Sequence, residues 1–166
     1  MKSDTMIDST VGIAPRALSY TLVLASIALA GLSACGGGDD GEDVVNCEIE
    51  ARDDDFVVGI AKTGQRMTFT LLSATPAPPM RGNNAWRLHL MDAAGPVAGA
   101  TIVVSPFMPD HQHGTPIDVK VTPLPAAGEY ELSPINMWMP ALWEITVQAT
   151  AGGATDRVVF KFCVPS

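Results

Sequence analysis

Apolar and polar residues alternate along most of the chain beyond residue 56, the period of a half-buried strand. The alternating sets are Met67, Phe69 and Leu71; Trp86, Leu88 and Leu90; Ile117, Val119 and Val121; Trp143, Ile145 and Val147; and Val158, Phe160, Phe162 and Val164. Residues 100–104 and 129–132 add two further candidate strands. No segment between Gly36 and Ser166 keeps a 3.6-residue apolar period, and prolines interrupt most of the gaps. About seven short strands with closely spaced turns predict an all-β fold, an antiparallel β-sandwich of immunoglobulin-like type, with a small barrel as the alternative. Trp86 and Trp143 are expected in its core. Tyr130, opening a strand after Gly128-Glu129, is expected to tie a loop back to the backbone.

The pattern changes at the N-terminus. Arg16 is followed by an uncharged apolar run of about 15 residues, short of the roughly 20 that span a bilayer and suited to a signal-peptide core. It ends in Leu32-Ser33-Ala34-Cys35 before Gly36, which resembles the bacterial lipobox, whose cysteine is acylated and becomes the first mature residue. Residues 1–34 are then a lipoprotein signal peptide, with Met6 an alternative start; 35–55 are a lipidated cysteine and acidic tether, and 56–166 the domain. The expected location is a bacterial membrane, with the domain facing the periplasm or the surface. Gly36 in place of a retaining aspartate tilts the choice towards the outer membrane. The mature chain has three cysteines, an odd count that lipidation of Cys35 resolves. Cys47 and Cys163 are left to form a disulfide in an oxidising compartment.

Charge follows the same division. Residues 39–55 hold nine acidic residues and one basic residue, Arg52, whereas residues 56–166 hold seven of each sign. The net charge of −8 therefore belongs to the tether, which is too polar to fold alone. The absence of a basic patch argues against nucleic acid.

Two of the three histidines lie in one proline-flanked stretch, "SPFMPDHQHGTP", Ser105 to Pro116. His111 and His113 are two apart, so an extended backbone presents both imidazoles to one side. Met108 lies three residues upstream. A second stretch, "SPINMWMPALWEI", carries Met137 and Met139 two apart, with Trp138 facing the other way or capping the group. If the two loops meet at one end of the sandwich, the ligand set of Met108, His111, His113, Met137 and Met139 favours copper, specifically Cu(I), over zinc, which prefers thiolate or carboxylate. The alternatives are methionines that fill core gaps, an inert polar loop, and a loop that docks a protein of the cell envelope. His89, alone on a strand's polar face, reads as structural. No Gly-x-Ser-x-Gly, His-Glu-x-x-His or P-loop is present, and Lys62-Thr63-Gly64 lacks the Ser-x-x-Lys that accompanies it in penicillin-binding proteins, so no enzyme is expected.

Gly-Pro-Val-Ala-Gly-Ala at 95–100, Met108-Pro109 with the following histidines, Gly128-Glu129-Tyr130 and the run from Met139 to Ile145 together resemble the YtkA-like domain, and more distantly FixH-like proteins. The resemblance covers roughly residues 65–162. It implies a small immunoglobulin-like sandwich on an exported or membrane-tethered bacterial protein, in a family some of whose members sit near copper handling and oxidase assembly. Its motifs pick out Met108, His111, His113, Met139 and Trp143.

Overall fold

The computed structural model describes residues 45–166; the apolar run, the Cys35 motif and the spacer as far as residue 44 lie outside the described residues. Every regular element described is a strand: β1 (Ala61–Thr63), β2 (Thr68–Thr75), β3 (Gly82–Asp92), β4 (Gly95–Pro96), β5 (Thr101–Met108), β6 (His113–Gly114), β7 (Lys120–Pro123), β8 (Glu129–Met137), β9 (Ala141–Ala151) and β10 (Ala154–Val164). They form two antiparallel sheets, ordered β1-β2-β3-β8-β7, with β4 on β3, and β10-β9-β5-β6. The fold is the expected antiparallel sandwich.

Alternation explains the packing. Phe69, Leu71, Trp86, Leu88, Leu90, Tyr130 and Leu132 of the first sheet meet Ile145, Val147, Phe160 and Phe162 of the second in one buried cluster. Trp86 lies edge-on to Phe160 and Phe162, at centroid distances of 5.9 and 5.5 Å, the T-shaped arrangement that aromatic quadrupoles favour. The Tyr130 hydroxyl donates to the Val97 carbonyl at 2.7 Å and accepts from the Ala100 N–H at 2.9 Å, the loop tie expected from its position.

Two strands run longer than the sequence suggested. β5 continues through Pro106 and β8 through Pro134, because each proline lies where its strand lacks a partner on one side. Along Thr101–Pro106, β5 pairs with β9 alone, and the pairing of β8 with β7 ends at Ser133. A missing N–H costs no ladder bond there. In contrast, the strand expected through Ile117 and Val119 begins only at Lys120, and Ile117 is 41% exposed.

Three features close the molecule's margins. Cys47 and Cys163 form a disulfide across a separation of 116 residues. The Asp54 N–H donates to the Lys161 carbonyl and its carboxylate accepts the Lys161 N–H, both at 2.8 Å, which blunts the outer edge of β10. Asp156, 6% exposed, accepts backbone N–H groups from Arg66 (2.7 Å), Met67 (2.9 Å) and Arg157 (2.9 Å). Burial alone would raise its pKa, but hydrogen bonds from the backbone of Arg66, Gln65, Met67 and Arg157 outweigh this and hold it down at about 2. Gly64 leaves the room: a Cβ there would lie 2.2 Å from the Asp156 Oδ1.

Candidate functional site

Register gathers several segments at one pole. Phe107 of β5 faces Glu144 of β9, Val164 of β10 faces Ala141 of β9, and Gly82 of β3 faces Met137 of β8. The end of β5, the β8–β9 connection, the Met80–Gly82 turn and the disulfide therefore lie at the same end. Met108 pairs with His113, so residues 109–112 form a tight turn in which Gln112 takes a positive φ of 56° and its side chain donates to the Pro109 carbonyl.

Side chains dock the turn's far limb onto β8. The Thr115 hydroxyl donates to Asn136 Oδ1 at 3.1 Å, and Asn136 Nδ2 donates to Asn83 Oδ1 at 2.7 Å. On the other side, the buried Trp143 indole donates to the Met139 carbonyl at 3.0 Å, and Arg81 Nε donates to the Trp138 carbonyl at 3.0 Å. With both carbonyls held, the Trp138 ring points outwards and is 44% exposed. Asn84 orders the neighbouring turn, accepting the Met80 N–H at 3.0 Å and donating to the Met80 carbonyl at 2.7 Å.

The two loops meet. His113 stacks on Trp138 with centroids 5.8 Å apart and planes 27° apart, and the His111 and His113 centroids are separated by 5.9 Å. Two imidazoles that share one ion at a metal–nitrogen distance of about 2.0 Å hold their centroids roughly 5 to 6.5 Å apart. His113 Nδ1 lies 3.1 Å from the Gly114 carbonyl, which can only accept, so in the neutral ring this contact puts the proton on Nδ1 and leaves the Nε2 lone pair to a ligand.

The methionines divide. Met108 and Met137 are fully buried within the apolar cluster, and each packs as a core side chain. Met139 is half-buried at the cluster's edge. From solvent, the reachable ligands of the predicted five are His111, His113 and Met139. Among the described residues, no group of three or more histidine, cysteine, aspartate or glutamate side chains is placed to hold a metal.

One contact that the sequence did not suggest reaches this loop. Asp110, beside His111, is gripped by Arg52, whose Nη1 and Nη2 donate to its two oxygens at 2.8 and 2.7 Å. Arg52 also donates from Nε and Nη2 to Glu50, at 2.8 and 2.6 Å. Hydrogen bonding to Arg52 lowers the pKa of Glu50 and of Asp110 below the usual carboxylate range. A separation of 58 residues hides this pair from any local pattern.

The YtkA-like family model matches residues 62–148, a span that runs from β1 almost to the end of β9 and holds both candidate loops. Arg52, Cys47 and Cys163 fall outside it. No curated protein and no solved structure matches the chain. With half of its length matched, and with the sandwich and the Tyr130 tie in place, the chain belongs to the YtkA-like family.

Proposed function

We propose that this is an exported, membrane-tethered binding domain without enzymatic activity, which holds one Cu(I) between His111 and His113. Met139 is the accessible thioether and Trp138 the flanking aromatic face. The reading is carried by the 5.9 Å separation of the two imidazoles, which suits a shared ion. Two nitrogens with a soft sulfur make a low-coordinate set that fits Cu(I) better than Zn(II), which takes four ligands. An indole face beside a cation adds attraction and shields the ion from solvent. Lipidation of Cys35 and a periplasmic or surface location, with the outer membrane preferred, complete the reading.

Competition titration against a chromophoric Cu(I) chelator tests it. The protein should take up about one equivalent, the double variant His111→Ala/His113→Ala should lose most of the affinity, and Met139→Ala should lose less. Equal titrations for wild type and the double histidine variant sink the copper assignment.

One observation favours a second reading, in which the same pole docks a protein of the envelope. Trp138, Met80 and Ile117 are 44%, 55% and 41% exposed, and apolar side chains left open to solvent beside the histidine loop offer a partner something to bury. That reading requires a partner recovered from membranes equally well before and after chelation.

A further inference from the structure

We propose that Arg52 sets the metal preference of the His111/His113 pair by occupying the one carboxylate in their loop. This inference rests on the copper reading and adds a specificity-determining residue to it. Residues 109–114 contain a single acidic side chain, Asp110, and its neighbour is His111. Each of its oxygens accepts from one of the two terminal nitrogens of Arg52, a bidentate fork that matches carboxylate geometry and fixes where the carboxylate points. The fork is itself aimed. Glu50, with its side chain 15% exposed, binds the remaining face of the guanidinium, and its Oε1 also accepts the Arg52 N–H at 2.9 Å. The segment that carries both residues is pinned on one side by the Cys47–Cys163 disulfide and on the other by the paired bonds between Asp54 and Lys161.

The chemistry follows from ligand hardness. A free carboxylate beside two imidazoles completes a nitrogen and oxygen set that Zn(II) takes readily, whereas Cu(I) gains little from a hard anionic oxygen. With Asp110 held by Arg52, the loop offers the ion only neutral ligands, and a guanidinium nearby further disfavours a dication over a monocation. The ion pair is too exposed to matter for stability: the Arg52 and Asp110 side chains are each 51% exposed, and pairs of that kind contribute little to folding. Its consequence lies in what Asp110 is kept from doing.

The test compares Zn(II) and Cu(I) affinities of the full-length protein by chelator competition in four forms: wild type, Arg52→Gln, Asp110→Asn and Arg52→Gln/Asp110→Asn. Arg52→Gln should raise the ratio of Zn(II) to Cu(I) affinity by on the order of tenfold, the scale at which neighbouring groups tune metal sites. Adding Asp110→Asn should return the ratio to that of wild type, and Asp110→Asn alone should not raise it. A ratio unmoved by Arg52→Gln, or a gain that survives Asp110→Asn, overturns the proposal. The two readings fail separately. A wild type that ignores Cu(I) sinks the copper assignment, while Zn(II) uptake that appears in Arg52→Gln and vanishes in the double variant still supports the role given to Arg52.

Discussion

Asp156 and the His111–His113 pair are two polar groups on the same sandwich, and they are treated in opposite ways. Asp156 is buried, and its oxygens are filled by backbone N–H groups that fix the Gly64–Met67 turn against β10. The imidazoles are exposed, and the one ring bond that His113 makes leaves its Nε2 open. A polar group whose bonding capacity is spent on its own backbone is structural; one held in place with a lone pair to spare is available to a ligand. Mutation should therefore separate stability from binding cleanly.

The largest effect is expected at the closed group. Asp156→Ala strands several N–H groups in a buried turn and should cost about 3 kcal/mol in urea unfolding, with Cu(I) titration of the folded protein unchanged. A loss below the error of the measurement would erase the contrast.

Acid should reveal the same group. The pKa of Asp156 is held at about 2 in the fold, against an ordinary value of 3.8. Its contribution is thus complete above about pH 4 and drains away as pH falls towards 2. The acid limb of an unfolding profile should shrink in Asp156→Asn. The smallest stability effect is expected at the open pair, where His111→Ala and His113→Ala should each stay within about 0.5 kcal/mol of wild type. A larger loss at either would mean that the loop is part of the folding scaffold.

Much of the fold was legible because a sheet with one buried face writes its period into the chain. The Trp86, Trp143 and Tyr130 positions and the cysteine pair could be read from alternation, spacing and cysteine count. What could not be read depends on which strand edges are free. Pro106 and Pro134 look like breaks until β5 and β8 are seen to lack a partner beside them. Of the candidate site, the meeting of the two loops was expected from strand-end placement, whereas the sequence left open which methionines fill the core, and Met108 and Met137 do. Methionine serves core and ligand roles equally well, and its spacing carries no sign of which it fills. The Arg52–Asp110 pair left no trace in the sequence, since long-range ion pairs carry no period.

The joining of Cys47 to Cys163, with the Val45 N–H on the Ser166 hydroxyl at 3.0 Å, brings the two ends of the described chain together at the histidine pole. A tag fused after Ser166 would emerge at the same end of the sandwich as the His111–His113 loop, and a polyhistidine tail there would compete for the same ion. The Gly152–Gly153 turn between β9 and β10 lies at the far pole, which makes it the place for a fluorophore or an insertion meant to leave the imidazoles undisturbed.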